Sequence, residues 1–279
     1  MAGTKVRQQG TLAGSVQAGG AYALINGLGM YYEVHGTGQP LLLLHGQFGT
    51  IGMFASLIPE LARTRTVVAV EQQGHGRTRD IDRPLRFHQM ADDTALLLEH
   101  LGIDKTDVYG YSTGGTVALH LAVRHPEKVG KIAISSAVYD LDGYLPEIQA
   151  GLLNPRPDAF PPAVREAYEA VAANPGAWPA LVAKAGEQAA GDSGLTAGEL
   201  QAIKAPALVM TAERDVIRPG HVQDLARLLG TEPVVLPDSD HASYVVDGRE
   251  VLLSQLRPFF GLARSRRRVH GDRHLELPR

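Results

Sequence analysis

The sequence contains no cysteine. That single absence excludes a disulfide framework, a thiolate metal site and a cysteine nucleophile. Net charge is also scarce: 27 basic residues against 30 acidic ones leave a formal balance of −3, which argues against a protein built chiefly to hold nucleic acid or an anionic membrane surface. No apolar run approaches the roughly 18 to 20 residues that a membrane-spanning helix needs. Near the N-terminus, Lys5 and Arg7 are followed by a stretch from Thr11 to Gly20 too rich in Gly, Ser and Gln for a signal-peptide core. A cytoplasmic protein is expected. What is present suffices for one large core: 279 residues at 44% apolar content, a size at which α/β sheets are commonly single domains.

Residues 1–20 lack apolar periodicity and read as a flexible tail. Strand-like segments at Ala21–Asn26 and Met30–His35, joined through Gly27, Leu28 and Gly29, predict an antiparallel hairpin. Continuous apolar runs at Leu41–Leu44 and Val67–Val70 fit strands covered on both faces. Phe54, Leu57, Ile58 and Leu61 recur at helical spacing, and Met90 to Leu101 mark another helix that ends at Gly102. Strand Asp107–Tyr111, helix Thr113–His125 and strand Val129–Ser135 follow. Such alternation predicts a mainly parallel sheet with right-handed crossovers.

After Ala137 the alternation stops. Prolines at 146, 155, 157, 161, 162, 175 and 179 punctuate the next stretch, with helical pieces at Val164–Ala173 and Ala177–Ala189. The pattern resumes with strand Ala207–Met210, helix Gly220–Leu229 behind Pro219, strand Val234–Leu236 and helix Arg249–Phe260. The expected organisation is a core of residues 21–137 and 204–261, a helical cap of residues 138–203, and a flexible basic tail at 262–279 that includes Arg264, Arg266, Arg267 and Arg268.

Gly110-Tyr111-Ser112-Thr113-Gly114-Gly115 lies where strand gives way to helix. In a G-x-S-x-G turn the serine takes a strained backbone conformation that pushes its hydroxyl above the sheet edge, and small residues on either side let strand and helix pass. A serine hydroxyl is a weak nucleophile until a neutral imidazole accepts its proton, and the imidazole needs a carboxylate on its other nitrogen. His241, in a polar turn after the Val234–Leu236 strand, is the candidate base. Asp215, between a strand and the Pro219 helix, is the candidate acid; Glu213 in the same loop, and Asp140 or Asp142 after the earlier strand, are its alternatives. Asp238 and Asp240 read as turn formers. Main-chain amides are the expected oxyanion donors, because fixed dipoles need no reorganisation as charge develops. Thr113 supplies one, and Gln47, with Phe48 as second choice, supplies the other from the loop after Leu44. His45 reads as a shaper of that loop. Phe48, Tyr111, Tyr144 and Trp178 are candidate substrate-binding walls. No cofactor site and no metal site are read from the residues.

Three motifs together resemble the α/β-hydrolase fold superfamily, in its large group with a helical cap: His45-Gly46-Gln47, Glu71 to Thr78 with its Gly74-His75-Gly76 centre, and the Ser112 elbow. The resemblance spans about residues 22–261 and implies a mainly parallel sheet of about eight strands with helices on both faces. It also implies that Glu71 and His75 shape a loop. The chain departs from the common form at Glu71 and Gln73, where Asp and Arg are usual. A serine at the elbow, in place of aspartate, points away from the dehalogenase and epoxide-hydrolase branches, and Thr113 departs from the methionine of many perhydrolases. The expected activity is cleavage of a carboxylic ester or lactone through an acyl-enzyme. Alternatives are carbon–carbon or amide hydrolysis or cofactor-free perhydrolysis with the same residues, or, from another class, a ligand-binding protein that kept only the fold. The expected partner is a small-molecule ester or lactone, with no nucleic acid and no membrane, and a homo-oligomer left open.

Overall fold

The structure, a computed structural model, describes residues 20–262. Residues 1–19 and 263–279, where the two tails are expected, lie outside the described residues. The strands are β1 (Ala21–Ile25), β2 (Leu28–His35), β3 (Gln39–Leu44), β4 (Arg65–Val70), β5 (Thr106–Tyr111), β6 (Val129–Ser135), β7 (Ala207–Arg214) and β8 (Pro233–Asp240). The α-helices are α1 (Ile58–Leu61), α2 (Phe87–His100), α3 (Thr113–Arg124), α4 (Pro146–Leu153), α5 (Pro162–Glu169), α6 (Trp178–Gly191), α7 (Ala197–Ala202), α8 (Pro219–Leu228), α9 (Ser243–Val246) and α10 (Arg249–Phe260).

All eight strands form one sheet in the order β1-β2-β4-β3-β5-β6-β7-β8. The pairs β1/β2 and β2/β4 are antiparallel and the others parallel. Alternation along each strand divides the apolar runs between two faces. Leu42, Leu44, Val68 and Val70 join a cluster with residues of α2, α3 and α8, whereas Leu41, Leu43, Val67 and Ala69 join one with residues of α1, α9 and α10. Both faces are therefore covered, as the uninterrupted Leu and Val runs require.

Two local expectations change. The hairpin reverses over Asn26 and Gly27, with Ile25 paired to Leu28, and not over residues 27–29. Both turn residues have positive φ, 49° and 79°, as a two-residue turn matched to the strand twist demands, and Asn-Gly is the pair that tolerates it best. The polar stretch after Leu236 is not a free turn: β8 runs on to Asp240, pairing it with Arg214 across a register shift, with Asp238 at φ 52° absorbing the irregularity.

The β6–β7 connection holds α4 to α7. The pieces expected from Val164 and Ala177 appear as α5 and α6; α4 and α7 were not anticipated. Pro146 opens α4, and a capping box between Thr196 and Glu199 opens α7. The start of this insertion is tied to the loop after β7: Tyr144 bridges Ile217, Leu145 N–H donates to Val216 O (2.9 Å) and Arg218 N–H to Gly143 O (2.8 Å). Among the described residues no helix is long and apolar enough to cross a membrane.

Candidate active site

Ser112 stands between β5 and α3 with φ 51° and ψ −122°, a conformation costing about 1–3 kcal/mol that persists only where the surroundings impose it. They do so through close packing. A Cβ on Gly110 would lie 2.3 Å from Gly114 O, and one on Gly114 would lie 2.1 Å from Leu44 O. Glycine at both positions is what lets the strand and the helix meet at the elbow. Ser112 N–H donates to Ser135 O at 2.9 Å, so the sheet ladder holds the residue whose side chain leaves the sheet.

The strand order brings the loops after β5, β7 and β8 to one edge. There His241 Nε2 lies 3.1 Å from Ser112 Oγ, and His241 Nδ1 lies 2.7 Å from Asp215 Oδ1. Asp215 is heavily supplied with donors. Val216 N–H reaches Oδ1 at 2.8 Å, while the Thr211 hydroxyl (2.8 Å), the Ala212 amide (3.0 Å) and the Ser136 hydroxyl all reach Oδ2. Burial pushes the Asp215 carboxyl up, but the bonds from His241, Ser136 and Ala212 outweigh it and hold the pKa down at about 2. The carboxylate is therefore charged across the ordinary pH range. Tyr111 fixes the histidine from the main-chain side, its hydroxyl donating to His241 O at 2.8 Å.

The alternative acids go elsewhere. Asp140 lies 3.9 Å from His221, Asp142 accepts from Gln149, and Glu213 accepts from the Asp238 amide. Asp240 caps the following turn, accepting from the amides of Ala242 and Ser243. Sequence reasoning missed Ser136, Thr211 and Tyr244. Ser136 sits just past β6 at φ 50°, its amide donating to Met210 O (2.9 Å), and Tyr244 donates to its hydroxyl at 2.6 Å. The available signal was topological: a polar residue ending β6 must face the loop that ends the neighbouring β7.

Thr113 heads α3, where the first N–H groups have no acceptor within the helix. Gln47 is a central residue of the turn closed by Gly49 N–H to Gly46 O at 3.0 Å. That turn abuts the elbow: a Cβ on Gly46 would lie 2.7 Å from the Tyr111 ring and 3.3 Å from Ser112 Cβ. Phe48, the other central residue, has φ 61° and is buried. Beneath the turn, His45 contacts Gly46 O through Nδ1 (2.8 Å) and accepts the Gln72 amide at Nε2 (3.1 Å). Burial, with His75 nearby, pulls the His45 pKa down to about 3, so the ring stays neutral. Glu71 is fully buried and accepts from the amides of Ile51 and Arg77 and from the Arg77 guanidinium. The loop thus keeps an ion pair, Glu71 to Arg77 at 2.8 Å. Gln73 acts as a neutral bracket, donating to Asp80 at 2.7 Å and accepting from Arg83.

Of the remaining wall candidates, Tyr144 lies beside Ser112 and Asp215: burial and the Asp215 charge push its phenol up to about 12, against the opposing pull of Ser112. Trp178 is 1% exposed and packs among Phe48, Phe160 and Tyr168.

Residues 39–194, more than half of the chain, match the family model for the alpha/beta hydrolase fold. The chain belongs to that family. It is 36% identical over 117 residues to a putative carbamate hydrolase RutD of Azorhizobium caulinodans, covering 42% of this chain and 44% of the relative. It is 35% identical over 103 residues to a 2-hydroxymuconate semialdehyde hydrolase of Pseudomonas sp., covering 36% of each. The chain thus spans less than half the length of these relatives in its matches. Among solved structures, Est816, described as an N-acyl homoserine lactone degrading enzyme, superposes with TM-score 0.70 at 26% identity, covering 86% of this chain and all of that one. An enol-lactonase from Burkholderia xenovorans LB400, with TM-score 0.70 at 21% identity over 86% of this chain and 99% of its own, shows the same fold.

Proposed function

We propose that the protein is a serine hydrolase that cleaves a carboxylic ester or lactone through an acyl-enzyme. The observation that carries this is the line from Ser112 Oγ to His241 Nε2 (3.1 Å) and from His241 Nδ1 to Asp215 Oδ1 (2.7 Å), set beside a turn that presents backbone amides. In this reading Ser112 Oγ attacks the carbonyl carbon as its proton passes to His241 Nε2. The Thr113 and Gln47 amides hold the oxyanion, and Asp215 stabilises the imidazolium as it forms. Collapse of the tetrahedral adduct breaks the carbonyl–oxygen bond, and the departing alkoxide takes the proton from His241. Water, deprotonated by His241, then attacks the acyl carbon and releases the acid. In a lactone the released hydroxyl stays on the acyl group. Residues 138–203 act as a cap over the site, with Phe48, Tyr111, Tyr144 and Trp178 as walls.

The lactone-acting neighbour at 26% identity supports the substrate class. The relative described as a carbamate hydrolase supports a second reading, cleavage of a carbamate by the same groups. A fluorophosphonate should label one residue, mapped by peptide mass spectrometry to Ser112, and Ser112→Ala should abolish both labelling and turnover. Graded p-nitrophenyl esters, lactones, carbamates and anilides then sort the substrate class. An adduct on another residue, or none, would sink the serine-hydrolase reading in favour of a ligand-binding protein.

A further inference from the structure

We infer that the β6–β7 insertion sets the oxyanion turn by clamping Phe48, which makes Phe160 and Trp178 positioning residues for the Gln47 amide. The inference rests on the serine-hydrolase reading above. Phe48 has φ 61°, a region that a residue with a Cβ avoids, although Gly46 and Gly49 flank the same turn and would enter it freely. One backbone hydrogen bond, Gly49 N–H to Gly46 O, closes the turn. The rest of the restraint comes from the ring. Phe48 packs edge-on against Phe160 (4.7 Å, 66°) and tilted against Trp178 (5.1 Å, 59°), and these two rings meet each other at 5.7 Å.

The clamp is itself anchored. Trp178 donates Nε1–H to Pro157 O at 3.0 Å and packs against Tyr168. It opens α6, which Lys184 ties to Ile81 O and Arg83 O, both at 2.9 Å. The phenyl rings therefore link the insertion to the turn beside Ser112. A two-residue turn closes only for particular pairs of central dihedrals, so the left-handed Phe48 and the peptide units of Gln47 are set together. Gly46 lies against Ser112, so a turn that relaxes moves the Gln47 amide relative to the nucleophile. A misplaced donor weakens binding of the oxyanion and leaves binding of the planar ester largely intact. The aromatic contact thereby couples the insertion to transition-state stabilisation.

The test uses the full chain, a p-nitrophenyl ester that the wild type hydrolyses, and a trifluoromethyl ketone whose adduct with Ser112 places an oxyanion at the donors. Phe160→Ala should lower kcat about 10- to 100-fold with KM changed less than about threefold, and should weaken the ketone by the same factor as kcat. Phe160→Tyr, which keeps the ring, should stay within about threefold of wild type. In a Phe48→Gly background, where the turn needs no clamp, Phe160→Ala should change kcat by less than about threefold. Should Phe160→Ala fail to fold by thermal melting, Phe160→Leu carries the same comparison. An unchanged kcat, a raised KM with unchanged ketone affinity, or an undiminished effect in the Phe48→Gly background overturns the inference alone. A wild type that neither takes the fluorophosphonate nor binds the ketone overturns the serine-hydrolase reading and this inference with it.

Discussion

Ser136 donates its hydroxyl to Asp215 Oδ2, the oxygen that also accepts from Thr211 and the Ala212 amide, so Oδ1 is left to His241 and the Val216 amide. Tyr244 in turn donates to Ser136 Oγ at 2.6 Å. The carboxylate is thus oriented from β6, β7 and α9 at once, and its charge is matched by donors before the imidazole is counted. Ser136→Ala removes a bond to a charged acceptor and takes from the buried Tyr244 hydroxyl one of its two partners, leaving it Ser135. A loss of about 1.5–3 kcal/mol in urea unfolding is expected. Activity should fall less than about tenfold, because the other donors keep the carboxylate in place. Tyr244→Phe added to Ser136→Ala should cost less than the sum of the two, and strict additivity would contradict the coupling.

Asp215→Asn should lower kcat about 10²- to 10⁴-fold with KM little changed, since the carboxylate matters only as positive charge forms on His241. Asp140→Asn is the control, because Asp140 lies beside His221 and not His241. Its turnover should stay within about threefold of wild type. Steady-state kinetics on both variants, with folding checked by melting, decide the matter. A dead Asp140 variant beside an active Asp215 variant would show the proposed acid to be wrong.

Much of this was legible because the sheet imposes strong local patterns. Leu41–Leu44 and Val67–Val70 admit no solvent-facing side, so their burial on both faces follows from composition. Ser112, Asp215 and His241 follow strands in chain order, and parallel strands bring such ends to one edge. What escaped depends on neighbours distant in sequence. Ser136 has an ordinary serine's local signal, and its partnership with Asp215 exists only because β6 lies beside β7. The backbone of Phe48 also escaped, since nothing local reveals that a phenylalanine will take the left-handed position between Gln47 and Gly49. Short helices fared differently: the capping box of α7 stood in the sequence, but Thr196 and Glu199 precede too short an apolar pattern to be told from a loop.

Glu71 is the acceptor that ties the chain just after the Gly46–Gly49 turn to the Gly74–Gly76 loop, through Ile51 N–H at 3.3 Å and the Arg77 amide and guanidinium. Burial pushes its carboxyl up in spite of those bonds. Glu71→Ala leaves two amides without an acceptor and Arg77 without its counter-ion, and a loss of about 3–5 kcal/mol is expected. Glu71→Gln keeps the shape and one acceptor oxygen, and should cost about 1–3 kcal/mol. Urea midpoints at pH 7 compare the two; equal losses would mean that charge, and not shape, holds the loop.

Acid stability should be governed first by buried histidines and only later by Asp215. Burial pulls His45 down to about 3, helped by His75, and pulls His75 and His120 each down to about 4, against an ordinary value of 6.5. For a group whose folded pKa lies below its unfolded one, the unfolded chain takes up the proton that the native state refuses. Stability is therefore intact above about pH 6.5 and falls as the pH drops toward 4, by about 1.4 kcal/mol per pH unit for each such group. Asp215, at about 2 against 3.8, has the same sign but a lower window: its contribution is present above 3.8 and is lost as the pH falls through 2. His120 separates the histidine effect most cleanly, because it stacks on Phe87 at 6.0 Å and its buried Nε2 has no hydrogen-bond partner. His120→Leu should leave stability at pH 7 within about 1 kcal/mol of wild type and flatten the slope between pH 6 and 4.5 by about 1.4 kcal/mol per unit. Urea unfolding at four pH values measures that slope; a variant as steep as wild type would mean that His120 is protonated in the folded protein.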